Sequence, residues 1–242
     1  MTIIRRCEDR MKLARPDIRH PRIVLAGSAG DDAGLIPALR KRGLHARWMS
    51  WDDPDTLGAD LVILRATADY RDHLDEFLAW TRRVRNLLNP PDVVAWNVDR
   101  RYLRDLERAG VPTLPSLPAP QQAGPPAGQM ALVFLGGMQS HAFATAGEPP
   151  VEPDFELWDL GDAAVRAATD HVGIRPGELL YARADVTGGP EARLLGLDLI
   201  APSLGWLQLD PITRELQQRQ FALAVESALE RLGLGPFSHR RP

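Results

Sequence analysis

Through the first 115 residues, short apolar runs alternate with stretches of helical period. Residues 22–27, RIVLAG, form a β-branched run ending in glycine; Leu35, Ile36, Leu39 and Leu44 then recur at helical spacing, and residues 46–49 begin a second strand. Residues 60–64, DLVIL, read as a further strand buried on both faces. A helix follows, with Leu74, Phe77, Leu78, Val84 and Leu88 on one side, and Asn89-Pro90-Pro91 ends it because proline cannot continue a helix. Residues 93–96 give one more short strand, and Asp99 caps a helix through Leu103 and Leu106 that stops at Gly110. Strand–helix alternation of this kind predicts a Rossmann-like parallel sheet covered on both faces.

The alternation stops at residues 116–130, SLPAPQQAGPPAGQM, where proline and glycine break both periods and a linker is expected. Beyond it, residues 131–135 and 139–143 flank Gly136-Gly137 as a hairpin. A helix over residues 160–172 comes next. A second hairpin, over residues 180–206, turns at Gly-Gly-Pro, and a long helix from about Thr213 to Leu232 carries Leu216, Phe221, Val225 and Leu229 inward. The fold class expected is α/β, with a parallel N-terminal sheet and an antiparallel α+β C-terminal half. The division is residues 1–21 as a disordered basic arm, 22–115, the linker 116–130, and 131–236.

Composition narrows the function classes. The chain has 242 residues and a net charge of −3, so no global field draws it to nucleic acid or anionic lipid. The single cysteine, Cys7, excludes an internal disulfide framework, and no apolar stretch is long enough for a signal peptide or a membrane span. A cytoplasmic protein is expected, partnered by neither nucleic acid nor membrane.

The loop AGSAGDDAG, residues 26–34, lacks the spacing of a phosphate loop, and Asp31 and Asp32 read as helix caps. Ser28 is not in a nucleophile elbow, and the six histidines lack metal-ligand spacing. Arg65, Thr67 and Asp69 stand where the carboxyl end of a parallel strand opens, a usual place for a ligand, although in isolation Asp69 or Asp72 reads sooner as a helix cap. In the second hairpin, alternation puts Arg183 and Asp185 on one face of their strand, and Gly196 and Asp198 on one face of the next. Carboxylates beside an arginine suit a magnesium-bound polyphosphate, but spacing alone favours an exposed cross-strand Arg–Asp pair.

Taken in order, WDDPD (51–55), DLVILRATADYRDHLDEFLAW (60–80), NPPDVVAWNVDRRYLRDLERAGVPTLP (89–115), LLYARADV (179–186) and LLGLDLIAPSL (194–204) resemble the ATP-grasp ligases, in particular glutathione-synthetase-like carboxylate–amine ligases. The resemblance implies a Rossmann-like N-terminal domain, a central lid that closes on ATP, and a C-terminal domain holding magnesium. It also implies activation of a carboxylate as an acyl phosphate that an amine then attacks.

The chain departs from the family pattern in several places. The resemblance calls for a central ATP-binding domain where only the linker stands, for lysine at Arg100, for tryptophan at Ala68, for glutamate at Gly196, and for a further glutamate at Ala201. On its terms Arg183 is a vestigial phosphate contact, Arg100, Arg65 and Asp69 are cofactor contacts, and Asp185 and Asp198 are a weakened metal pair. The leading expectation is a degenerate, truncated relative without ligase activity alone, serving as a binding or partner module. No cofactor is expected unless activity is retained, in which case ATP and magnesium are required. Two further readings stand: a ligase whose lid comes from another chain, and a nucleotide-independent binder of a small molecule. The partners expected are a full-length ATP-grasp ligase or a second copy of the chain.

Overall fold

A computed structural model describes residues 20–114, 129–145, 152–188 and 192–235. All but the last two residues of the expected basic arm, most of the linker and the Gly-Pro of the second hairpin turn lie outside those residues. Strands β1 (Ile23–Ala26), β2 (Ala46–Met49), β3 (Leu61–Leu64) and β4 (Leu87–Leu88) form a parallel sheet in the order β2-β1-β3-β4. The helices of this half are α1 (Leu35–Lys41), α2 (Leu74–Arg83), α3 (Pro91–Asn97) and α4 (Tyr102–Arg108). Strands β5 (Gln129–Leu135), β6 (Met138–Ala144), β7 (Tyr181–Thr187) and β8 (Arg193–Asp198) form an antiparallel sheet in the order β6-β5-β7-β8, with α5 (Phe155–Val172) and α6 (Pro211–Arg231). Among the described residues no helix is long and apolar enough to cross a membrane.

The mixed fold class holds, and several local expectations need correction. Residues 93–96 are helical, not a strand: Pro91 sits in the first turn, where its missing N–H costs nothing, and Asp92 favours the positive helix end. Helix α2 ends at Arg83, so Leu88 belongs to β4 and not to the helix. Leu216 does not face the core; it is 55% exposed, whereas Phe221, Val225 and Leu229 are buried as expected.

Every residue of β5 from Met130 to Leu135 is buried, because helices cover both faces of its sheet. Leu132, Phe134, Ala182 and Ala184 pack with Leu157, Leu160 and Ala164 of α5. Ala131, Val133, Leu135 and Tyr181 pack on the other side with Phe221 and Val225 of α6, in a cluster that also takes in Ile23, Leu25, Leu61 and Ile63 of the parallel sheet. The two halves therefore share one apolar core.

The outer edge of β8 would expose a row of unpaired backbone groups, a liability for any sheet. Side chains from the N-terminal half close it. Asn97 donates Nδ2 to the Leu197 carbonyl at 2.9 Å and accepts the Leu199 N–H at 2.8 Å. The Tyr102 hydroxyl accepts the Leu197 N–H at 3.0 Å. Asn89 donates to the carbonyls of Leu199 and Tyr181 at 2.7 and 2.9 Å and accepts the Leu180 N–H at 2.7 Å. Further along, Leu194 exchanges backbone hydrogen bonds with Pro112 and Leu114. The two asparagine amides and the tyrosine thus act as a substitute strand.

Because Asn89 is fully buried and serves three backbone groups, Asn89→Ala strands all three. A loss of about 3 kcal/mol of stability or more is expected, since each of the three orphaned buried groups costs about 1–3 kcal/mol. Urea unfolding monitored by tryptophan fluorescence measures it, and a midpoint equal to the parent's contradicts the edge-closing role.

Candidate functional site

The register of the second hairpin sets Arg183 opposite Asp198 and Asp185 opposite Gly196. These four positions share one face of the sheet, while Ala184 and Leu197 point to the α5 core. Near Asp185 the pairing slips by one residue and leaves Leu195 as the extra residue of a bulge. Asn97 and Tyr102 grip β8 on either side of Arg100 in the chain, and that brings Arg100 to the same face. The result is an open cleft of about 410 Å³, whose lining includes Arg100, Tyr102, Gln129, Asp185, Gly196 and Asp198.

Inside it most charges are already engaged. Arg183 donates Nε to Asp185 at 2.8 Å and Nη1 to the Ser203 carbonyl at 3.3 Å, and its guanidinium lies 5.2 Å from the centre of the Phe143 ring. Burial pushes the Asp185 carboxyl above its ordinary range, and Arg183 opposes this without cancelling it. Asp198 accepts the Ile200 N–H at 2.9 Å. Tyr102 is held as the neutral phenol, since burial raises its pKa.

Magnesium needs several hard oxygen ligands, and the cleft supplies two carboxylates, one of them paired with arginine. No group of three or more histidine, cysteine, aspartate or glutamate side chains converges to hold a metal among the described residues. The donor set therefore does not fit a magnesium-bound triphosphate. Space is not the obstacle. A Cβ built on Gly196 meets only the Tyr102 hydroxyl, at 3.5 Å, which is ordinary contact.

Of the residues singled out from sequence, Arg100, Asp185, Gly196 and Asp198 meet in this cleft, and Arg183 adjoins them through Asp185. Arg65 and Asp69 do not line it. The expectation of a cofactor contact is corrected for Arg65, whose side chain is 1% exposed and bonds Asp32 through Nε at 2.9 Å and Nη2 at 3.1 Å, and the Pro202 carbonyl at 2.8 Å. Burial is the largest single influence and acts against the Arg65 charge, but Asp32, Tyr181 and Asp198 together outweigh it, so its pKa is raised. Arg65 Nη1 and Thr67 Oγ1 are buried without a hydrogen-bond partner among the described residues. Asp32 is accordingly no helix cap; it also accepts the Trp206 indole N–H at 2.7 Å. Asp69 is exposed and accepts the Trp51 indole N–H at 3.1 Å. His141 is a packed core histidine: its Nε2 meets the Leu204 carbonyl at 2.7 Å, and burial lowers its pKa.

Residue reasoning passed over Tyr102 and Asn97, which position Arg100 against β8. Their signal was present in WNVDRRYL, where a polar Asn97 stands among apolar neighbours of a helix.

Residues 17–89 match the family described as D-cycloserine synthetase DcsG, N-terminal domain. The cycloserine biosynthesis protein DcsG of Streptomyces lavendulae is 34% identical over 87 residues, which are 34% of this chain and 29% of that protein. The match thus spans less than a third of that relative's length. Among solved structures, D-cycloserine synthetase DcsG superposes with a TM-score of 0.70 at 22% identity, covering 87% of this chain and 99% of the other. D-alanine–D-alanine ligase from Bacillus anthracis, complexed with ATP, gives 0.60 at 12% identity, over 88% and 98% of the two chains. The ATP-grasp ligase PsnB, complexed with precursor peptide PsnA2 and AMPPNP, gives 0.56 at 14%, over 87% and 99%. The fold of this chain is that of the ATP-grasp ligases, and residues 17–89 are similar to the N-terminal domain of D-cycloserine synthetase.

Proposed function

We propose that the protein is a degenerate, shortened relative of the glutathione-synthetase-like ATP-grasp ligases, a cytoplasmic binding or partner module without ligase activity of its own. Its halves are residues 22–115 and 131–236, joined through 116–130. The observation that carries this reading is the donor set of the cleft: Gly196 supplies no side chain where a third carboxylate belongs, and Arg183 neutralises one of the two that remain. Phosphoryl transfer depends on positioning and on neutralising phosphate charge, so such a set leaves the transfer unsupported. The shortness of the segment between Leu114 and Gln129 adds to this, because it has no room for a lid.

A second reading draws on one specific feature. Arg100, Asp185 and Asp198 still meet in an open cleft, as they would if another chain supplied the lid. ADP release with a co-encoded full-length ATP-grasp protein and amino acids, lost in Asp185→Ala, supports this reading; no turnover with such a partner rejects it.

Isothermal titration of ATP with magnesium into the isolated protein tests the first reading. No micromolar magnesium-dependent heat is expected, and its appearance overturns the proposal. Gly196→Glu is expected to fold as the parent does and to raise magnesium affinity several-fold, since the position is open; an unchanged affinity means that more than this ligand is missing.

The raised pKa of Asp185 gives a third test. A carboxyl with a folded-state pKa above its unfolded value takes up its proton more readily when folded, so its ionised form costs stability at neutral pH. That cost is relieved as pH falls through the raised folded value and is gone below the unfolded value. Asp185→Asn is expected to raise the melting temperature at pH 7 and to change it less at pH 4. The opposite ordering shows that the Arg183 pair, and not burial, governs this residue.

A further inference from the structure

Away from the cleft, α1 and α6 enclose a groove of about 480 Å³. Lys41 and Arg42 stand on one wall and Arg214 and Arg219 on the other, with Glu215 as the only carboxylate in the lining. Four cations against one anion is a local excess of positive charge in a chain whose net charge is −3. Glu226, outside the lining, offsets part of it by pairing with Arg42.

The groove's own partners leave much of this charge open. Lys41 pairs with Glu215 at 2.6 Å, but both side chains are about 70% exposed, and such a pair contributes little and opens easily. Arg214 donates Nη2 to the Leu209 carbonyl at 2.8 Å, while its Nε is buried without a partner among the described residues. Arg219 is exposed and makes no hydrogen bond or ion pair among those residues.

Beside these cations runs an apolar ridge. Ile212 and Leu216, 75% and 55% exposed, lie four residues apart on α6 and so on one line along its surface. Leu207, 63% exposed, precedes the helix. A small anion uses the cations alone. An amphipathic helix with apolar side chains at i and i+4, flanked by carboxylates, uses both cations and ridge, and laying such a helix along a groove is a recurrent mode of recognition. From the charge complementarity and the adjoining ridge, we infer that the α1/α6 groove docks an acidic amphipathic helix of a partner protein. The inference is independent of whether the cleft retains ligase chemistry.

Fluorescence anisotropy with two labelled synthetic helices tests it. Both are about 18 residues long, enough for measurable helicity, and carry a leucine ridge; one has glutamate flanks and the other lysine flanks. The glutamate peptide is expected to bind, less tightly as salt is raised, and the lysine peptide is not. The double variant Arg214→Glu/Arg219→Glu is expected to weaken binding about tenfold or more, the equivalent of about 1.4 kcal/mol. Leu216→Ser is expected to weaken it several-fold, and as an exposed change it keeps the test decisive if the double variant fails to fold. The control pair Arg104→Glu/Arg108→Glu on α4, the same charge change at sites that do not line the groove, is expected to leave binding within about twofold of the parent, and Arg104→Glu alone likewise. Failure of the glutamate peptide to bind, equal binding of the lysine peptide, or equal weakening by the control pair overturns the inference. Binding that Leu216→Ser leaves untouched reduces the groove to a bare anion site and overturns helix docking.

Discussion

A buried arginine–aspartate pair holds the two halves of this protein to each other. Arg65, at the carboxyl end of β3, and Asp32, in the turn after β1, have side chains 1% and 6% exposed and meet at 2.9 Å. Charges so deep survive only when paired and hydrogen-bonded, and removing one partner of such a pair costs about 3–5 kcal/mol because the other is stranded. Asp32 fills its remaining capacity with the Trp206 indole, and Arg65 reaches the Pro202 carbonyl while lying 5.1 Å from the centre of the Tyr181 ring. All three of those partners belong to the C-terminal half. The requirement extends to the backbone: a Cβ on Gly27, where φ is +133°, would fall 1.7 Å from the Arg65 carbonyl oxygen, so only glycine lets β1 pass.

The side-chain closure of the β8 edge works in the same direction. Asn89, Asn97 and Tyr102 all come from the N-terminal half, and each bonds backbone atoms of the C-terminal sheet. The sheet edge is satisfied only while the halves are docked. Docking in turn fixes where Arg100 stands, because it lies between two of the residues that grip β8. The geometry of the cleft is therefore a product of packing between halves and not of either half alone.

Such long-range dependence separates what was legible in the sequence from what was not. Both hairpins, the parallel strands β1, β2 and β3 and the long helices were readable, because period and turn residues are local signals. Residues 93–96 were misread because a short apolar run fits a buried strand or a buried helix equally well, and only the Pro91 start decides between them. Leu216 was placed inward by spacing alone, yet α6 is apolar on more than one side and its buried face falls elsewhere. Arg65 and Asp32 defeated sequence reasoning for a different reason. Arg65 looked like a ligand-facing charge and Asp32 like a helix cap, and their pairing spans 33 residues of chain, which no local pattern reports. In the cleft, alternation along β7 and β8 correctly put Arg183, Asp185, Gly196 and Asp198 on one face. What spacing could not give was the internal pairing of Arg183 with Asp185, which decides how much charge is left for a ligand.

That remaining charge is small. Arg183 and Asp185 offset each other, so Arg100 and Asp198 are the charged side chains of the group left to face a ligand, and their signs are opposite. A polyphosphate with its metal calls for a surplus of both hard ligands and cations, whereas this cleft is close to neutral. The scaffold does not register the difference. Asn97 and Tyr102 hold backbone atoms of Leu197 and Leu199, and no stabilising contact passes through a side chain at position 196. Since the halves are held by their shared apolar core, the buried pair and side-chain bonds to main-chain atoms, a ligand of the cleft can be lost at little cost to stability. A fold shared with the ATP-grasp ligases therefore constrains where chemistry could occur and leaves open which chemistry it is.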